Sequence, residues 1–114
     1  MATITLTNDT FDAQITESPI LLVDFWAPWC GPCKFFGPIF DAASDKHTDA
    51  TFAKVDTDVE QDLAVKLGIQ SIPTLMAFKD GTLVFRQAGA INGPQLEELL
   101  TKIKAFDVST ITKK

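Results

Sequence analysis

The chain has 114 residues, 46% hydrophobic and 22% charged, and ten Lys+Arg against fifteen Asp+Glu leave a formal charge of −5 at pH 7. This is the composition of one globular domain with its own core rather than of a disordered chain. The acidic balance argues against nucleic acid and anionic membrane as partners, no apolar run is long enough for a transmembrane helix, and the opening MATITLTND lacks the basic and apolar stretches of a signal peptide.

In chain order, residues 3–6 alternate as a short strand. Thr7 or Asn8 is placed to cap a short helix with Phe11 and Ile15 on one face. Ser18-Pro19 marks a turn, and ILLVDFW at 20–26 is nearly unbroken apolar, as expected of a central strand covered on both faces. Residues 33–46 have a helical pattern, with Phe35, Ile39 and Ala42 or Ala43 in phase and Pro38 inside, where a backbone donor is lost and a kink is expected. Residues 52–56 form a strand. Asp58 then caps a short helix with Leu63 and Leu67 inward and Gly68 at its end. Strands at 74–79 and 82–87 flank Asp80-Gly81, a strong hairpin signal. Asn92 opens a last helix, with Gln95 as its capping-box partner and Leu96, Leu99, Leu100 and Ile103 on one face. The polar residues 107–114 are expected to be a flexible tail.

This order, β-α-β-α-β-α then β-β-α, predicts parallel strands covered by helices on both faces, extended by an antiparallel hairpin. Into it falls Trp29-Cys30-Gly31-Pro32-Cys33, at a strand-to-helix junction. Two cysteines are too few for a disulfide scaffold and point to a reducing compartment. Adding His47 brings the Cys and His inventory to three, so a structural zinc site could close only with a carboxylate or a second chain. His47 is read as a surface residue. Cysteines three apart at a helix start share a face and can form a disulfide. Closing so short a loop stabilises by only about 1.9 kcal/mol, against about 3 for fifteen residues. The pair is a poor staple and suits a bond that opens and closes. Cys30 stands where free N–H groups and the helix dipole favour a thiolate, so it is the expected nucleophile. Cys33, one turn deeper and expected to be more covered, is the resolving thiol. Gly31 allows a partner backbone to approach, and Pro32 is tolerated in a first turn.

DFWAPWCGPCK at 24–34, Pro38, Gly68-Ile69, Ile72-Pro73-Thr74, Asp80-Gly81 and Gly89 together resemble the thioredoxin family over residues 1–106. The resemblance implies the thioredoxin fold, an α/β domain with a central mixed five-stranded sheet and helices on both faces. It implies a protein-disulfide reductase recycled by thioredoxin reductase and NADPH, cytoplasmic, monomeric and without a bound cofactor or metal. Gly-Pro between the cysteines resembles the reducing members; isomerases and periplasmic oxidases usually carry His there.

Asp24 is a carboxylate inside an apolar strand, either at a strand end facing solvent or buried. The family uses the matching residue as a buried proton acceptor for the resolving cysteine. Lys54 matches a family lysine near that carboxylate, with a solvated edge position as the alternative. Trp29 is expected at the surface beside Cys30, and Trp26 in packing that supports the loop. The resemblance implies a cis Ile72–Pro73 bond with the Ile72 backbone beside Cys30, and a third groove loop at Gly89 and Ala90. An extended substrate segment would pair there. Asp56, Asp58, Glu60 and Asp62 are read as a solvated loop and helix cap. A non-catalytic module on the same fold and a metal site across two chains are the alternatives from other classes.

Overall fold

The apolar run Ile20–Trp26 is the central strand of the sheet, as its lack of alternation predicts. The computed structural model describes residues 2–112. In chain order the elements are β1 (Ile4–Thr5), α1 (Phe11–Glu17), β2 (Ile20–Trp26), α2 (Gly31–Lys46), β3 (Thr51–Asp56), α3 (Gln61–Lys66), β4 (Thr74–Lys79), β5 (Thr82–Ala88), α4 (Gly93–Ala105) and α5 (Ser109–Thr112). The strand order across the sheet is β1-β3-β2-β4-β5. β3 is parallel to β1 and β2, while β4 is antiparallel to β2 and β5. The expected mixed sheet is present.

Alternation along the strands sorts the core into two layers. Ile20 and Leu22 pack with Phe36, Phe40, Leu96, Leu100 and Ile103 of α2 and α4. Leu21, Val23 and Phe25 face the other way, onto Phe11 and Leu63 of α1 and α3. Period two therefore puts Asp24 on the α2 face, and Lys54, two residues after Phe52, on that face too.

Several local expectations are corrected. α2 begins two residues early, and its inward face is one residue out of phase with the reading from sequence. Phe36 is 1% exposed and Phe35 57%. The doublets Phe35-Phe36 and Ile39-Phe40 satisfy either phase, and the buried set Cys33, Phe36, Gly37, Phe40 and Ala43 is the one that meets the sheet. α1 starts after Thr10, not after Thr7 or Asn8; the Thr7 carbonyl accepts the N–H groups of Thr10 and Phe11 in the preceding turn. The N-cap position of α3 is Glu60, not Asp58, and the Glu60 side chain accepts the Asn8 N–H rather than one from its own helix. The Asn92–Gln95 capping box forms in both directions at 2.9 Å. Asp80 and Gly81, with φ of 51° and 80°, make the hairpin turn. Lys79 Nζ donates to the carbonyls of Ile103, Lys104 and Phe106, tying β4 to the end of α4. Within the expected tail, Ser109–Thr112 make one short helix; residues 113 and 114 lie outside the described residues.

Candidate active site at the start of the second helix

Strand β2 ends at Trp26, and a four-residue loop delivers Cys30 as the N-cap of α2 with extended backbone, φ −85° and ψ 117°. Cys30 and Cys33 are joined by a disulfide with Cα atoms 5.2 Å apart. The Cys33 N–H donates to Cys30 Sγ at 3.2 Å. Cys30 Sγ is thus the capping acceptor of a 16-residue helix, on the side where the peptide dipoles are positive. Exposure does not separate the two sulfurs: Cys30 is 3% exposed and Cys33 5%. The expected greater cover of Cys33 is absent because Ile72 packs over Cys30, its carbonyl oxygen 3.7 Å from Cys30 Sγ.

The sheet register brings three loops to one end. Phe25 pairs with Thr74, and Thr74 with Ala88, so the segments before β4 and after β5 lie beside the end of β2. The Ile72–Pro73 bond is cis, and Pro73 is buried. Its carbonyl accepts the Gly89 N–H at 2.7 Å. Gly89 has φ of +99°, a conformation that strains any residue with a side chain. Ala90 packs against the α2/α4 core. Gly31 and Pro32 are exposed, and Trp29 is 69% exposed. The Trp29 indole N–H donates to both Asp58 oxygens, at 3.1 and 3.0 Å.

Asp24 lies fully buried on the α2 face, and neither carboxylate oxygen has a hydrogen-bond partner among the described residues. Burial pushes its carboxyl up to about 7, the Lys54 ammonium pulling it down and Asp41 pushing it up. Lys54, opposite Asp24 in the β2–β3 register, is half-buried. Its Nζ lies 3.7 Å from Asp41 Oδ1 and 5.4 Å from the Trp26 ring centroid. A cleft of about 210 Å³ runs past Cys33, Gly37, Asp41, Lys54 and Trp26.

His47 is not a plain surface residue. It is the C-cap of α2, and its ring nitrogens meet Glu97 Oε1 at 2.7 Å and Lys104 Nζ at 2.9 Å. The 16-residue helix puts it about 24 Å from Cys30, which excludes a Cys–His pair. Two residues escaped the sequence reading. Asp58 reads in the sequence as one of several solvated acids, and its indole contact spans a sequence gap that no local pattern marks. Asp41 did carry a signal: Cys33, Gly37 and Asp41 are four apart and share one helix face.

Comparison with known proteins agrees with this geometry. The thioredoxin family model matches residues 2–105. The chain is 44% identical over 99 residues to thioredoxin 1 of Synechococcus elongatus, covering 85% of this chain and 92% of that one. Among solved structures it is similar to Malassezia sympodialis thioredoxin, with TM-score 0.80 and 33% identity over 92% of this chain and 96% of that chain. It is also similar to Plasmodium falciparum thioredoxin, with TM-score 0.80 and 36% identity over 87% and 97% of the two chains.

Proposed function

The chain belongs to the thioredoxin family and is a protein dithiol–disulfide oxidoreductase, and from that premise we propose that it reduces partner proteins with Cys30 as the attacking thiolate. The observation that carries this is the capping geometry: Cys30 Sγ receives the Cys33 N–H at the start of α2, beside the Ile72 carbonyl. The same N–H and dipole favour negative charge on that sulfur in the reduced protein.

The reaction runs in two exchanges. The Cys30 thiolate attacks one sulfur of the partner disulfide, forming a mixed disulfide and releasing the other partner sulfur as thiolate. The Cys33 thiol then gives its proton to Asp24 and attacks Cys30 Sγ. The Cys30–Cys33 bond forms, the bond to the partner breaks, and the second partner sulfur leaves as thiolate. A carboxyl near 7 is suited to this, because it is partly ionised at neutral pH and can both take and release a proton. Lys54 steadies the carboxylate once formed. Trp29, Gly31, Pro32, Ile72, Pro73, Gly89 and Ala90 form the uncharged groove, where an extended partner segment pairs with the Ile72 backbone.

Residues 1–106 carry this activity, and 107–114 are dispensable for it. The protein works as a monomer in the cytoplasm with no cofactor of its own, and a thioredoxin reductase restores the dithiol at the expense of NADPH. Among the described residues no helix is long and apolar enough to cross a membrane. The test is reduction of insulin followed by NADPH consumption, with and without a thioredoxin reductase. Reductase-dependent turnover is expected. Insulin reduction by the dithiol form without recycling would reject the reductase, and no reduction at all would reject the reading.

Pro32 separates a reductase from an oxidant. Pro32→His is expected to raise the reduction potential, since an imidazole beside Cys30 favours the thiolate and so the reduced state. Equilibration against glutathione reads this directly; an unchanged or lower potential would count against the thiolate account.

A further inference from the structure

Two carboxylates lie near one lysine on the α2 face, and the lysine touches the one that the two-exchange reaction does not use. Cys33, Gly37 and Asp41 form a single stripe of α2 along the cleft. Gly37 leaves the stripe open in its middle: a Cβ there would stand 3.7 Å from Lys54 Nζ, so the lysine lies against the bare backbone. From there the ammonium reaches Asp41 Oδ1 at 3.7 Å, and that buried oxygen has no hydrogen-bond partner among the described residues. Both Asp24 oxygens, opposite Lys54 in the register, are without a hydrogen bond among the described residues.

We propose that Asp41 is a positioning residue of the disulfide exchange, holding the Lys54 ammonium toward the cleft so that Asp24 stays a proton acceptor matched to Cys33. This rests on the assignment of Asp24 as that acceptor. Were the Asp41 charge absent, Lys54 would answer to Asp24 alone. The carboxylate would then ionise too easily and hold a thiol proton too weakly. The directions of the two electrostatic effects on Asp24 agree with this, Lys54 favouring ionisation and Asp41 opposing it. Among the described residues, Cys33 and the exposed Lys34 of α2 share the cleft with Asp41 and Lys54. β4 presents the apolar Leu75 to Asp24, and Asp56 of β3 accepts the Asp58 N–H at 2.9 Å. Cys33, Asp41 and Lys54 line the cleft of about 210 Å³ together.

The test is stopped-flow reaction of the reduced full-length protein with dithiobis(nitrobenzoate). Attack by Cys30 releases one nitrothiobenzoate at a concentration-dependent rate. Closure by Cys33 releases the second at a concentration-independent rate, and the pH profile of that second phase reads the acceptor. Asp41→Asn is expected to move its midpoint to lower pH by roughly half to one unit, the scale of one like charge lost at an effective dielectric near 20. Asp41→Glu is expected to restore the midpoint, and Lys54→Gln to move it to higher pH. The Lys54 variant keeps the proposal falsifiable if Asp41→Asn fails to fold. An Asp41→Asn midpoint that stays in place or rises overturns the proposal, as does a Lys54→Gln midpoint that stays in place or falls. Asp24→Asn separates the two failures. If it leaves the wild-type profile intact, Asp24 is not the acceptor and both readings fall. If it abolishes the profile while Asp41→Asn leaves the midpoint in place, only the role of Asp41 falls.

Discussion

Cys30→Ser and Cys33→Ser are each expected to lower multiple-turnover reduction of a protein disulfide by more than about a thousandfold, and to fail at different steps. A serine hydroxyl is not ionised at neutral pH, so without the Cys30 sulfur the first exchange does not occur and no partner is captured. Without the Cys33 sulfur the first exchange proceeds and the second cannot. Partner protein then accumulates on Cys30 as a mixed disulfide. Non-reducing electrophoresis after mixing each variant with a disulfide-bonded protein distinguishes the two. A covalent adduct with Cys30→Ser and none with Cys33→Ser would reverse the roles.

Asp24→Asn is expected to stabilise the protein at neutral and alkaline pH, although it removes a charge. The folded carboxyl sits near 7, while an unfolded one ionises near 3.8. Between those values the native state binds more protons than the unfolded state, so stability is greatest below the unfolded value and falls as pH rises toward 7. The full window of roughly three units corresponds to about 4 kcal/mol lost above the folded value. The amide does not ionise, so the variant escapes this loss. Burying an unpartnered amide costs roughly 1–3 kcal/mol, which offsets part of the gain at every pH. The difference between variant and wild type isolates the effect: it should shift toward the variant by about 4 kcal/mol between pH 4 and pH 8. Urea unfolding at both values measures it. A shift in the opposite direction would make Asp24 a paired structural anion. The same variant should slow the second exchange, because the local acceptor is gone.

What was legible in the sequence was what local chemistry decides. Ile20–Trp26, Thr74–Lys79 and the Asn92–Gln95 box could be read because a strand's hydrophobicity, a turn's glycine and a cap's side chain act over a few residues. The face of α2 could not, because paired Phe and Ile residues fit either phase until the sheet selects one. Nor could the face of Asp24. ILLVDFW is apolar on both sides, so the strand pattern holds no parity, and only the packing of its neighbours into two layers shows that Asp24 turns toward α2. Asp58 and His47 illustrate long-range satisfaction. One looked like a solvated acid and the other like a surface residue, yet each holds a specific partner from a distant segment. The placement of the cysteines was legible, because a helix start is a local pattern: Cys30 is the N-cap of α2 and Cys33 lies in its first turn. Burial does not separate the two sulfurs, which are covered alike.

The helix-start assignment of Cys30 is tested most directly by competitive alkylation of the reduced protein. Limiting iodoacetamide at pH 7, followed by peptide mapping, reports which sulfur carries the reactive thiolate. Modification at Cys30 is expected well ahead of Cys33. Preferential modification of Cys33, or equal labelling of the two, would remove the basis for Cys30 as the attacking thiolate.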